Sequence, residues 1–321
     1  NNLQLENLSV GVNQLEKLDV SQLKWLVYLY CNDNKLTELK PVSSSLKVLQ
    51  TQNNKIGSLD LSECVSLVEL AANSNQLTSV DLSNCTLLQR LWLNDNKLSS
   101  ITVPEDGMPK LGVLNIANNE FESFNFSIAP WASQIVASGN KLSGTVDLTG
   151  CKSVESFYAS DNAIEKINFS GSGITTLIVN NNKLKSLDPK SSALYWLEAK
   201  NNELAAVNIS YGDNLYLAHL DNNKLNSLNM KNKNKIISLS LRGNQFEDNA
   251  LDRIYEQLPD LSGVEVSSEY SSWMKWLLVE GNPGAETANS KIVTDKGWNI
   301  DVLGTSGIDN ISADNGGLCY D

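Results

Sequence analysis

The chain has 321 residues, of which 41% are hydrophobic and 19% are charged, so it can bury a core and is not disordered by composition. Its 25 basic and 37 acidic residues leave a formal net charge of -12. Because an acidic chain without a basic stripe repels phosphate groups, we expect neither nucleic acid nor an anionic membrane as a partner. No apolar run approaches the ~20 residues that span a bilayer, so no transmembrane segment is predicted.

A repeat of about 21 residues runs along most of the chain. The residues eight, five and three positions before each repeated asparagine are mostly apolar, as Leu67, Leu70 and Ala72 are before Asn75. Another apolar residue follows two positions after it, as Leu77 does. Each unit predicts a short strand that pairs in parallel with the next, so that stacked coils share one core. The asparagines stand at positions 13, 34, 54, 75, 96, 119, 140, 162, 182, 202, 223 and 244.

The repeated asparagines mark the point at which each coil turns inward. Such a buried turn has no water for its backbone groups, so we expect each side-chain amide to bond backbone groups of its own and the adjacent coils. Loss of one amide should then cost ~1–3 kcal/mol. The asparagines are predicted to be structural and not to bind a ligand.

The five cysteines, at positions 31, 64, 85, 151 and 319, form no C-x-x-C pair and lack the histidine partners of a zinc site. Cys31, Cys64, Cys85 and Cys151 are expected to be small, buried hydrophobic residues. A disulfide between Cys64 and Cys85, in neighbouring turns, is the alternative.

The residues six, four and two positions before each asparagine are predicted to point out of the strands into solvent. The stripe of Trp92, Val136, Tyr158 and Ile178 is unusually apolar for an exposed sheet, and such patches often mark interaction sites. The alternative is that single exposed aromatic residues are normal and carry no function. The predicted ligand-binding residues are Tyr28, Tyr30, Arg90, Trp92, Val136, Tyr158, Ile178, Trp196, Glu198 and His219.

The sequence carries no catalytic motif. Its one histidine, His219, is expected to form a small solvated cluster with Asp221 and Glu198. The hypothesis that the chain is an enzyme would require an activity that the substitution His219→Ala abolishes. The acidic residues are scattered among coils without the dense spacing of a calcium site. We therefore predict no catalytic residues, no metal and no cofactor.

After Asn244 the repeat is interrupted. The segment DNALDRIYEQLP (248–259) has apolar residues at helical spacing, with Asp248 or Asn249 as the predicted cap. The segment WLLVEGNPG (276–284) then restores the repeat with Asn282, before a short helix near 285–296 and a strand near 298–303. We predict a solenoid over 1–246, an irregular repeat and cap over 247–303 that covers the open end, and a tail over 304–321.

The segment IGSLDLSECVSLVELAANSNQLTSVDLSNCTLLQRLWLNDN (56–96) carries the pattern L-x-x-L-x-L-x-x-N-x-L of leucine-rich repeats. It resembles a bacterial leucine-rich-repeat family that is common in surface and secreted proteins of Gram-negative gut commensals, and it is similar in style to internalin repeats. The resemblance covers about residues 5–284. It implies a curved solenoid of the α/β repeat class, with a parallel sheet on the concave face and a mostly extended convex side.

The resemblance also implies export from the cytoplasm and a protein or glycan ligand on the concave face. Because the chain opens at Asn1 and is inside a repeat by Leu5, we expect it to be a piece of a longer, exported protein. The first hypothesis is a non-catalytic binding module. The second is a structural spacer or assembly segment of a larger surface protein, without a ligand of its own.

Overall fold

A computed structural model describes residues 2–169, 173–265 and 274–307. The chain divides into two compact units, residues 1–154 and 155–321, and each is described by itself. This division lies inside the predicted solenoid and does not test the predicted domain limits at 246 and 303, which stay predictions. Most of the predicted tail, from residue 308 and including Cys319, lies outside the described residues.

Each unit contains one main sheet, in which the short strand of each coil pairs in parallel with the strand of the next coil. In the first unit these strands are Asn7–Ser9, Tyr28–Tyr30, Val48–Gln50, Glu69–Ala71, Arg90–Trp92, Val113–Asn115 and Gln134–Val136. In the second unit they are Ser156–Tyr158, Thr176–Ile178, Trp196–Glu198, Leu217–His219, Ser238–Ser240, Trp276–Leu278 and Asn299–Asp301. The predicted parallel strands are confirmed.

The second half of several coils is also extended, as predicted. In the first unit these elements are the strands Glu38–Leu39, Ser58–Leu59, Ser79–Asp81, Ser100–Thr102 and Ser143–Asp147, with a 3₁₀ helix at Phe126–Ile128. In the second unit they are the strands Ala163–Asn168, Ser186–Leu187 and Ala206–Val207.

The apolar repeat positions form the core between the two halves of each coil. Leu88, Leu91, Leu93 and Leu98 of one coil have no accessible surface, because alternate strand residues point inward and the adjacent coils cover them.

The four described cysteines lie in the same core. All four are buried and carry free thiols, so the expectation of small hydrophobic residues is confirmed and the alternative disulfide is wrong. Burial raises the pKa of Cys64 to about 12 and the pKa of Cys85 to about 11, which keeps both thiols protonated at neutral pH.

The repeated asparagines form a ladder of side-chain amides within each unit, and all but the exposed Asn13 are buried or half-buried. Asn75 is typical: its Nδ2 donates to the carbonyls of Ala72 and Asn73 in its own coil, at 3.2 Å each, and to Thr51 of the preceding coil at 3.0 Å. Its Oδ1 accepts from the backbone N–H of Ile56 at 2.9 Å. The side chain therefore satisfies four backbone groups at the turn, and the predicted structural role is confirmed. Asn282 makes the same kind of bonds.

The residue before each ladder asparagine has left-handed backbone, a feature that was not predicted from the sequence. Ser74 has φ 55° and Asp95 has φ 58°, and Gly139 and Gly243 take the same place with φ 67° and 57°. Glycine, asparagine and aspartate tolerate this conformation best. This requirement explains why the position before the ladder is so often Asn, Asp or Gly in this chain.

Two helices follow the last regular coil of the second unit, at Asp248–Gln257, as the helical spacing predicts, and at Lys291–Asp295, within the range predicted for a short helix. The first buries Leu251, Ile254 and Tyr255. Its predicted cap is wrong: Glu247 occupies the N-cap without a side-chain bond, and Asp248 is already helical, where its charge favours the helix N-terminus. Trp298 is 3% exposed and its Nε1 donates to the Pro259 carbonyl at 2.9 Å.

The ladder predicts the effect of a single deletion. Replacing Asn75 with alanine should lower the free energy of unfolding of the chain by ~1–3 kcal/mol, because buried backbone groups lose their partners. Gln76→Ala, at the exposed neighbouring position, is the matched control and should stay within ~0.5 kcal/mol of wild type. Urea unfolding followed by circular dichroism measures both. Equal losses for the two variants would show that the amide does not satisfy the turn.

Candidate binding surface on the main sheet

The outer face of the main sheet is formed by the side chains six, four and two positions before each ladder asparagine. In the first unit Trp92 lies on this face in register between Ala71 and Asn115. Both neighbours are buried, at 7% and 3% exposed, whereas Trp92 is half-buried. Trp92 is therefore the large apolar side chain that these three strands present to a partner.

Polar side chains flank Trp92 on the same face. Arg90 Nη1 lies 3.3 Å from Glu69 Oε2, and Gln50 Nε2 donates to Glu69 Oε1 at 3.1 Å. The Arg90 side chain is 59% exposed, so its ion pair contributes little to stability and its guanidinium stays accessible.

The two tyrosines predicted as ligand-binding residues lie on one strand of the first unit. The rings of Tyr28 and Tyr30 are parallel, with centroids 6.5 Å apart. Tyr28 is 38% exposed and Tyr30 is half-buried. Both tyrosines therefore have surface that a partner could contact.

The prediction that the apolar stripe is exposed is wrong for three of its four members. Val136, in the first unit, is 8% exposed, and in the second unit Tyr158 is 7% exposed and Ile178 has no accessible surface. Strand alternation gives the direction of a side chain but not its depth, because in-register neighbours about 4.8 Å away shield it on both sides. A ligand-binding role for these three residues stays a prediction.

The prediction of a solvated polar cluster is also wrong. In the second unit Glu198 has no accessible surface, His219 is 5% exposed and Asp221 is 8% exposed. Glu198 and His219 are in register on adjacent strands. Buried charges are costly unless they are paired and hydrogen-bonded. Neighbouring side chains on this part of the outer face must therefore supply ion-pair and hydrogen-bond partners for the buried charges.

Glu198 receives those partners from three side chains. Trp196 Nε1 donates to Glu198 Oε1 at 2.8 Å, Asn180 Nδ2 donates to Oε2 at 3.0 Å, and Lys200 Nζ lies 3.3 Å from Oε2. Burial by itself raises the pKa of Glu198, but the nearby charges of Lys200 and His219, together with the hydrogen bonds, hold that pKa below its ordinary value. Glu198 is thus an ionised group inside a polar network, and the predicted residues Trp196, Glu198 and His219 share one site.

His219 has a hydroxyl partner that no sequence motif indicates. Its Nε2 lies 3.1 Å from Ser238 Oγ. A serine beside a histidine is one element of serine hydrolases. However, Ser238 is only 3% exposed and lies within a strand, so its hydroxyl has no open approach for a substrate.

Two further aromatic residues, Tyr195 and Tyr216, extend the surface of the second unit and were missed from the sequence. Their rings stack with centroids 4.9 Å apart and planes 10° apart, next in sequence to Trp196 and Leu217. Tyr195 is 43% exposed. Both stand seven positions before a ladder asparagine, so reading that column of the repeat would have found them.

Within residues 2–169, 173–265 and 274–307, no group of three or more His, Cys, Asp or Glu side chains is placed to hold a metal ion. In the same residues, no helix combines the length and the apolar character that crossing a membrane requires.

Comparison with known proteins identifies the fold. No protein-family model and no curated protein matches the chain. The solved structure of YopM from Yersinia enterocolitica aligns with a TM-score of 0.66 and 22% identity, over 87% of this chain and 61% of that chain. The chain is a leucine-rich-repeat solenoid.

Two more structures share this leucine-rich-repeat fold. The functional domain of InlJ from Listeria monocytogenes, which includes a cysteine ladder, has a TM-score of 0.51 and 21% identity, over 78% of this chain and 61% of that chain. The plant peptide hormone receptor RGFR1, in complex with RGF2, has a TM-score of 0.59 and 21% identity, over 87% of this chain and 56% of that chain. The present leucine-rich-repeat chain thus spans less than two thirds of the length of each of these three proteins.

The buried network around Glu198 predicts a pairwise effect on stability. Lys200→Met should lower the free energy of unfolding by roughly 3 kcal/mol, because it leaves the buried charge of Glu198 without its ion-pair partner. This value is the low end of the range for breaking a buried ion pair, since Lys200 keeps some solvent contact. The double variant Glu198→Gln, Lys200→Met should recover most of that loss. Lys185→Met removes a lysine whose side chain is 70% exposed and is the matched control, with an expected loss below ~1 kcal/mol.

The pH dependence follows from the lowered pKa of Glu198. The stabilisation is fully present above the ordinary pKa of 4.5 and is lost as the pH falls through the lower pKa of the folded state. The deficit of Lys200→Met in urea unfolding should therefore shrink below about pH 4.5. A deficit that is independent of pH would contradict an ionised Glu198.

Proposed function

We propose that this chain is a non-catalytic protein-binding module of an exported bacterial protein, with its partner held on the outer face of the main sheet. The observation that carries the proposal is Trp92. The fold explains its neighbours Leu91 and Leu93 as core residues, but it does not require an indole on the outer face. Tryptophan, tyrosine and arginine are the side chains that most often anchor protein interfaces, and Arg90 lies two residues before Trp92.

The second unit supports the same use of the outer face. Trp196 is half-buried there, and Tyr195 next to it is 43% exposed. The ion pair and hydrogen bonds of Glu198 fix this surface before any partner arrives, so little side-chain entropy is lost on binding.

A protein or peptide is favoured over a glycan as the partner. The plant receptor of the same fold is a peptide hormone receptor in complex with RGF2. Export and a bacterial surface location are proposed from the resemblance of the repeats to surface and secreted leucine-rich-repeat proteins. Under the alternative, a spacer segment, the chain would have no ligand of its own.

The test is a binding screen of the purified chain against extracellular proteins and peptides, followed by variants of the tryptophans. Trp92→Ala should weaken a detected interaction by roughly tenfold or more, since loss of an interface anchor costs ~2 kcal/mol. Trp131→Ala is the matched control, because Trp131 is 53% exposed in a turn outside the main sheet and should leave the affinity unchanged.

Two outcomes would count against the proposal. If Trp92→Ala and Trp196→Ala both leave every detected affinity unchanged, the partner does not bind on the outer face. If the screen detects no partner, the spacer alternative is favoured.

A further inference from the structure

A pocket of about 360 Å³ lies in the second unit, beside the ends of the strands of the main sheet. Its walls include Lys200, Asp221, Asn222, Arg242, Glu280 and Gly281. These residues stand one or two positions before ladder asparagines, so they lie beside the ladder and are not part of it. The volume is in the range of small-ligand sites and exceeds that of one large side chain.

One wall of the pocket is the end of an exposed row of amides. Asn181, Asn201 and Asn222 each donate from Nδ2 to the Oδ1 atom of the preceding side chain in the row, at 2.7 Å. The row ends at Asn222 because the next two coils have glycine at this place, Gly243 and Gly281. Asn222 Oδ1 points toward Gly243, where an added Cβ would lie 2.5 Å from it. The row therefore ends on a hydrogen-bond acceptor beside bare backbone.

A second acceptor in the pocket belongs to Glu280. Its Oε1 contacts Arg242 Nε, whereas Oε2 is buried and receives no hydrogen bond from the described residues. Burial raises the pKa of Glu280, against the lowering effect of Arg242. A buried carboxylate oxygen without a donor costs free energy that a suitable ligand would recover.

The walls of the pocket carry two carboxylates, Asp221 and Glu280, and two cations, Lys200 and Arg242. Two further carboxylates lie around the pocket, Glu198 beside Lys200 and Asp301 beside Glu280. Lys200 pairs with Glu198, and Arg242 pairs with Glu280. Asp221 Oδ1 instead accepts from the Ser240 hydroxyl and, at 2.9 Å, from the backbone N–H of Arg242, which are both neutral groups. The excess of carboxylates attracts a cation.

We infer that this pocket binds the cationic head of an arginine or lysine side chain from a protein partner. A guanidinium or ammonium supplies only donors. The acceptor Asn222 Oδ1 lies at the pocket, the unpaired Glu280 Oε2 is buried beside it, and carboxylates outnumber cations around it. The net charge of -12 on the whole chain attracts a basic partner in the same sense. This cation pocket adds a specific contact to the proposed protein-binding function. The statement that the cation belongs to a protein rests on that proposed function.

The test uses Nα-acetyl-arginine-N-methylamide as the probe and the uncharged citrulline analogue as its isosteric control. The probes are titrated into the full isotope-labelled chain, and the amide resonances of Gly243 and Gly281 are followed by NMR. The arginine probe should shift both resonances saturably, and the citrulline probe should bind about tenfold more weakly, as expected for loss of a charge-assisted hydrogen bond.

Two variants locate the binding. Glu280→Gln removes the charge with little change of shape and should weaken the arginine probe about tenfold. Gly281→Asn places a side chain in the pocket beside the Gly243 backbone, at a left-handed position that asparagine tolerates, and should abolish binding. Glu286→Gln changes an exposed carboxylate of the same unit and is the matched control. Amide spectra of each variant confirm that it is folded.

The outcomes separate this inference from the proposed function. Equal shifts with the arginine and citrulline probes, unchanged arginine binding in Glu280→Gln, or shifts with a neutral sugar such as galactose alone would overturn the cation pocket. None of these results bears on whether Trp92 and Trp196 contact a protein partner. Conversely, loss of the pocket signal in Glu280→Gln but not in Glu286→Gln supports the inference even before a partner is known.

Discussion

The rest of the structure depends on how the chain turns inward once in each coil. That turn buries backbone N–H and C=O groups away from water, and unpaired groups of this kind are costly. The amide of the ladder asparagine has both donors and acceptors, so one side chain can bond its own coil and the preceding one. The same turn needs a left-handed residue just before the asparagine, which restricts that place to Asn, Asp, Ser or Gly in nearly every coil.

Because the ladder and the inward leucines hold each coil, the outward side chains are free to differ between coils. The two units use this freedom differently. In the first unit the outer face keeps Trp92 half-buried and Arg90 accessible. In the second unit polar side chains cover one another, and the ionised Glu198 is held by Lys200, Asn180 and Trp196. Such buried networks are weak evidence for stability, and fixing a surface in one conformation is the role that we assign to this one.

Much of the fold follows from the sequence, because its period and its asparagines each have a physical cause. The parallel strands, the core leucines such as Leu91, the buried cysteines and the helix after Asn244 were all predicted correctly. The cap of that helix was not, since Glu247 and Asp248 are both acceptable at a helix start and the local sequence does not separate them.

The candidate site could be predicted only in outline. Strand alternation placed Ile178 and Glu198 on the outer face correctly, but it could not show that they are buried there. Depth depends on the sizes of in-register neighbours on other coils, and a pattern read along one strand does not include them. The pocket beside Glu280 was missed for a related reason. It results from two glycines that interrupt a row of asparagines, which is visible only when the column just before the ladder is compared across coils.

Solvent footprinting of the tryptophans tests the central claim, that a partner binds on the outer face of the main sheet. The free chain and its complex with a partner recovered from the binding screen would be exposed to hydroxyl radicals, and oxidation of each tryptophan measured by mass spectrometry. We expect Trp92 or Trp196 to be protected in the complex. Trp25 and Trp131, which are 60% and 53% exposed in turns, should be oxidised as in the free chain. Protection confined to Trp25 or Trp131 would contradict the central claim.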